Sequence, residues 1–144
     1  MIVYFDTSAL VAVYVDDDCS EEARSAFWAA DRVATSLLTY AETLGVFSAL
    51  LRVRAVTKAQ RERIEGEFLV DWAWLQRVRL ESRLLPDIRR MVRHHPLKGA
   101  AAVHLASSLF VAHGCASAGI DYRFACNDRT LAAAASAEGL TLAW

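Results

Sequence analysis

Apolar and polar positions alternate along this chain in blocks that switch between strand and helix periodicity. Ile2–Phe5 is a short β-branched and aromatic run that ends abruptly in the polar turn Asp6-Thr7-Ser8. That pattern predicts a buried strand feeding a helix over Ala9–Val15. Asp18 opens a D-x-x-E capping signature with Glu21, predicting a helix to about Ala30. Val33–Thr35 reads as a second strand, running into a helix from about Leu37 to Arg52 with Leu38, Glu42, Val46 and Ala49 on one face. Thr57-x-x-Gln60 is a further capping box, opening a helix to about Gln76 whose stripe is Ile64, Phe68, Trp72 and Leu75.

Val78–Leu80 is a third candidate strand. Pro86 stands near the start of a helix reaching His94, and Pro96 marks its end. An alanine-rich helix follows over Lys98–His113, with Gly114 expected to close it. Tyr122–Cys126 reads as a strand, Asp128–Glu138 as a helix closed by Gly139, and Thr141–Trp144 as a last strand. Strands alternating with helices throughout predict a single α/β domain over residues 1–144. Its central, mostly parallel sheet should have about four to five strands and helices on both faces.

Composition adds limits rather than detail. Of the 144 residues 55% are hydrophobic, enough for a substantial core. Gly99–Ile120 carries no Asp, Glu, Lys or Arg and is long enough to span a bilayer. Its apolar content is mainly alanine, interrupted by His104, Ser107 and Ser108, so a buried helix of a water-soluble core is the better expectation. Cys19, Cys115 and Cys126 form no C-x-x-C pair. With no basic segment at the N-terminus, they point to a reduced, cytoplasmic setting and no membrane role. A net charge of −1 excludes generic polyanion binding, so any nucleic-acid contact must be local.

In parallel sheets, groups at the carboxyl ends of strands converge on one crevice. Three acids stand where they would feed it: Asp6 after the first strand, Glu42 in the helix after the second, and Asp128 after the fourth. Each also has a local explanation, since Asp6 and Asp128 can cap helices and Thr39-x-x-Glu42 reads as a capping box. As a set they suggest more. Glu42 sits on an otherwise apolar helix face, where an unpartnered carboxylate is costly. A hard cation such as Mg²⁺ or Mn²⁺ would relieve repulsion among gathered carboxylates and serve phosphoryl chemistry. A P-loop, a G-x-S-x-G elbow, a D-x-D phosphatase motif and the acidic pair of a receiver domain are all missing.

The ordered motifs resemble one family. An apolar strand with D-T-S-A-L at Asp6–Leu10, A-E at Ala41–Glu42, L-K-G-A-A-A-V-H-L-A-S-S-L at Leu97–Leu109 and N-D-R-T-L from Asn127 together look like the PIN domain. More narrowly, they resemble the VapC toxins of bacterial type II toxin–antitoxin systems. That resemblance implies a metal-dependent endoribonuclease cutting structured RNA such as tRNA or rRNA, neutralised by a cognate antitoxin, and a homodimer. It implies four acids around Mg²⁺ or Mn²⁺: Asp6 the first, Glu42 the second, Asp128 the fourth, with Ser8 a supporting hydroxyl.

The third acid is absent. In the family this helix reads like L-R-G-x-D-A-x-H-L-A, and alignment on Leu97, Gly99, His104 and Leu105 puts Ala101 where that Asp stands. Cys126 likewise occupies a position where the family often has Thr or Ser. Everything around residue 101 keeps the pattern, which favours a single replacement that silences a toxic nuclease over drift. The expectation is an inactive or impaired ribonuclease. The alternative is a non-catalytic module that binds RNA or antitoxin. RNA contacts are expected from Arg89, Arg90, Arg93 and Lys98, and Trp74, lying off its helix stripe, is an interface candidate.

Overall fold

The computed structural model describes residues 1–144. Four strands, β1 (Ile2–Phe5), β2 (Arg32–Ser36), β3 (Gln76–Val78) and β4 (Tyr122–Ala125), form a wholly parallel sheet in the order β3-β2-β1-β4. Tyr4 stands opposite Ala34 on one side and Phe124 on the other. Parallel strands need crossover connections, and helices supply them. α1 (Thr7–Tyr14) and α2 (Ser20–Ala29) lead to β2, while α3 (Leu38–Arg52) and α4 (Lys58–Trp72) lead to β3. A single 3₁₀ turn (Ser82–Leu84), α5 (Leu85–His94) and α6 (Gly99–Ala118) lead to β4, and α7 (Arg129–Ala137) follows it.

Alternation along β1 splits the core in two. Val3 and Phe5 face a cluster with Leu10, Phe27, Phe47 and Phe68 from α1 to α4. Tyr4 faces the other, with Met91, Leu105, Phe124 and Leu131 from α5 to α7 and β4. The sheet is therefore covered on both faces, as its near-continuous apolar strands require. The chain winds from β1 outward to β3, then returns to the opposite side at β4. That reversal opens a crevice at the carboxyl ends of β1 and β4.

Several boundaries differ from expectation. α6 does not stop at Gly114 but continues to Ala118. Gly119 closes it at φ +66°, with Ile120 N–H donating to Cys115 O at 2.9 Å. Gly114 had the right residue type but the helical backbone. This uncharged helix lies against β1, β2, β4, α5 and α7 and buries His104, Ser107 and Ser108, so it is the central helix of the domain. α4 ends at Trp72, and β3 comes two residues earlier than Val78–Leu80, because Val78 must pair opposite Ser36 while Leu80 is exposed. The last strand is reduced to one bridge, Leu142 to Phe124.

Among the capping signatures, Thr57 and Gln60 form a reciprocal box. Asp18 and Glu21 do not. The Asp17 carboxylate and the Ser20 hydroxyl make the local bonds there instead, with the Asp17 N–H donating to Ser20 Oγ at 2.6 Å. Thr39 and Glu42 do not cap α3 either. Thr39 pairs with Thr35 at 2.8 Å beneath the sheet, which leaves Glu42 to face the crevice.

Candidate active site

β1 delivers Asp6 to the crevice, and the same residue starts the next helix. Its Oδ1 accepts from Ala9 N–H at 2.8 Å, and the Ser8 hydroxyl donates to both carboxylate oxygens at 2.8 and 2.9 Å. Asp6 is only 4% exposed. Burial pushes its carboxyl above the ordinary carboxylate range, and the bonds from Ala9 and Ser8 offset part of that. Cap and crevice group are here one residue, so the two sequence readings of Asp6 do not compete.

The turn after β4 is fastened to the turn after β1. Asn127 N–H donates to Ser8 Oγ at 2.9 Å. Asp128 caps α7 by accepting from Leu131 N–H at 2.9 Å, and the Cys126 thiol donates to Asp128 O at 3.3 Å. Burial and then the Asp6 charge push that thiol above its ordinary range.

Glu42 meets the crevice from α3. His104 Nε2 lies 2.9 Å from Glu42 Oε2, and the Thr7 hydroxyl donates to the same oxygen. Thr7 Oγ1 is also 3.1 Å from Nε2, while Nδ1 is 3.2 Å from the Tyr4 hydroxyl. The hydrogen bond from His104 holds the Glu42 carboxyl below its ordinary range, against a smaller opposing push from burial.

Asp6, Glu42, Asp128 and Ala101 line one cavity of about 730 Å³, together with Ser8 and Lys98. All four positions expected from the motif order therefore converge. Arg89, Arg90 and Arg93 lie outside it on α5, and Arg90 is held by Glu138 at 2.6 Å and Asp87 at 3.5 Å. Thr7, Asn127 and Asp17 also line the cavity and were not singled out in the sequence. Thr7 and Asn127 stand beside Asp6 and Asp128 within the quoted motifs, which is a signal of a kind. Asp17 sits in an acidic run with no periodicity to mark it.

A metal centre needs carboxylate oxygens with a free lone pair and near enough to one another to share an ion. Asp6 Oδ1 and Glu42 Oε2 each accept two bonds, whereas Asp6 Oδ2 and Asp128 Oδ1 accept one and the remaining Glu42 and Asp128 oxygens keep both lone pairs. Residue 101 adds a methyl group, and no three His, Cys, Asp or Glu side chains gather closely enough to hold an ion. The donor set of this chain does not fit an assembled Mg²⁺ or Mn²⁺ centre.

The PIN domain family model matches residues 3–144. Ribonuclease VapC45 and Ribonuclease VapC49, both of Mycobacterium tuberculosis, are 32% identical to the chain over 110 residues, covering 76% of each sequence. A solved toxin–antitoxin complex from Klebsiella pneumoniae contains a chain of the same fold, with TM-score 0.65, 16% identity and 99% and 98% coverage. Mycobacterium tuberculosis VapC20, described as a sarcin–ricin loop cleaving toxin, aligns with TM-score 0.59, 20% identity and 92% and 94% coverage. The chain belongs to the PIN domain family, among the VapC ribonucleases.

Proposed function

We propose that this chain is a VapC-type toxin whose crevice binds RNA but whose hydrolytic step is lost or strongly impaired at Ala101. One observation carries the reading: Asp6, Glu42 and Asp128 line a single cavity with Ala101, yet no trio of ligating side chains gathers there. In the Ala101→Asp form, Asp6 is the principal carboxylate, Glu42 and Asp128 complete the set, Ser8 holds Asp6 in place, and Mg²⁺ or Mn²⁺ is the cofactor. The substrate is structured RNA, tRNA or rRNA. Lys98 at the cavity wall supplies a phosphate contact, with Arg89 and Arg93 further along the approach. Arg90, engaged by Glu138 and Asp87, contributes least.

The Klebsiella pneumoniae neighbour comes from a toxin–antitoxin complex, which supports a cognate antitoxin as the protein partner. A homodimer in the cytoplasm completes the proposal. Trp28 and Trp74, 70% and 52% exposed, are available for such contacts. A second reading, a module that binds without ever cutting, draws support from the methyl group at residue 101 and the lack of three gathered ligating side chains. The two part in one assay: this chain and its Ala101→Asp variant on tRNA and rRNA, with Mn²⁺, Mg²⁺ or chelator. Cleavage by the variant alone, abolished by chelator, is the expected result. Failure of both chains under every metal supports the binding module.

A further inference from the structure

Below the crevice runs a chain of hydrogen bonds that the acid set does not explain. It starts at Tyr4 in the middle of β1, passes through His104 on α6, and ends at Glu42 and Thr7 on the cavity wall. Tyr4 is fully buried and His104 is 3% exposed. A buried phenol must place its proton on an acceptor. The Tyr4 hydroxyl lies 3.2 Å from His104 Nδ1 and has the Ser107 side chain as a second polar neighbour. Glu42 Oε2, 2.9 Å from Nε2, can only accept as a carboxylate, so in the uncharged ring the proton sits on Nε2 and Nδ1 is left to accept from Tyr4.

The arrangement is not that of a nucleophile relay. In such a relay the carboxylate and the hydroxyl take opposite ring nitrogens. Here Glu42 and Thr7 share Nε2, and the other nitrogen is turned into the core. His104 has no free nitrogen to offer a reacting group. What it does is fix one oxygen of Glu42, leaving the second to face the cavity. The donated bonds from His104 and Thr7 also explain how a half-buried carboxylate is tolerated on an otherwise apolar helix face.

We infer that His104 is the positioning residue for Glu42, its ring oriented between Glu42 at Nε2 and Tyr4 at Nδ1, so that Tyr4 helps set the crevice carboxylate from the opposite side of the helix. Its consequence for RNA cleavage rests on the function proposed above; the tautomer and the placement of Glu42 do not. The test therefore has two arms. In the chain as it stands, ¹⁵N NMR of His104 should show the ring proton on Nε2 and an Nδ1 resonance shifted by an accepted hydrogen bond, and Tyr4→Phe should remove that shift. A predominant Nδ1–H form, or an Nδ1 resonance indifferent to Tyr4→Phe, overturns the inference even if the nuclease reading holds.

In the Ala101→Asp background, Tyr4→Phe and His104→Gln should lower kcat roughly 10–100-fold, the scale of a displaced reacting group, with KM within about twofold. Folded double variants with unchanged kcat would sink the positioning role. If Ala101→Asp alone does not cut, the nuclease reading fails. The NMR arm, with a crystal structure of His104→Gln showing whether Glu42 has left its place, then decides the inference alone. Tyr4→Phe removes one hydroxyl without creating a cavity, so it remains informative where larger changes to His104 prevent folding.

Discussion

At Ala101 a half-buried methyl group lines the cavity, where a carboxylate would crowd Asp6 and Glu42 with a further negative charge. On the proposed function, having Ala there removes repulsion as well as a ligand. Ala101→Asp should therefore cost about 1–2 kcal/mol without metal, roughly 3–6 °C in Tm for a domain of this size. A Tm that rises would contradict this. Glu138 offers a separate test far from the acids. Burial acts to raise its pKa, but the hydrogen bonds from His95 and Arg90 and the Arg90 charge outweigh that and hold it low. A depressed carboxyl stabilises the fold above its unfolded pKa and loses that contribution as pH falls through the folded value. Glu138→Gln should thus lower Tm by about 1–3 °C at neutral pH, since partly exposed pairs are worth about 1 kcal/mol or less. The difference should vanish in acid; one that persists there would argue against the ion pair.

Elements were legible where a local rule and tertiary packing agreed. The Thr57–Gln60 box, Asp6 as a cap and the strand–turn–acid sequence all came through, because each is written in adjacent residues. The end of α6 was not, since both Gly114 and Gly119 satisfy the local rule for a helix stop, and only the pairing of β4 decides between them. The pair provides a prediction. Neither glycine has a neighbour within 4 Å of an added Cβ, so backbone conformation alone sets the outcome. Gly119→Ala should cost about 1–2 kcal/mol for its left-handed backbone, while Gly114→Ala should gain about 0.5–1 kcal/mol as a helical position. Equal Tm changes would mean the helix ends elsewhere. Glu42 shows the converse: its capping-box pattern was real in sequence, but Thr35 takes Thr39 and frees Glu42 for the crevice.

For the whole molecule, the sheet order β3-β2-β1-β4 is what brings residues 6, 42, 101 and 128 to one cavity. Motif order in the sequence foretold that convergence. It could not foretell that Glu42 turns to Thr7 and His104, because those bonds span 35 and 62 residues of chain. With a net charge of −1, RNA must be held by a few cations rather than a general field. Lys98→Glu should accordingly weaken RNA binding and reduce its salt dependence by about one unit of log–log slope. An unchanged slope would remove Lys98 from the interface. The most direct test of the central claim, that this crevice is complete but for one carboxylate, is calorimetric titration of Mn²⁺ into the chain and its Ala101→Asp variant. The account predicts saturable binding to the variant, abolished by also replacing Asp6 with Asn, and weak or no binding to the chain itself. Equal binding to both would contradict it.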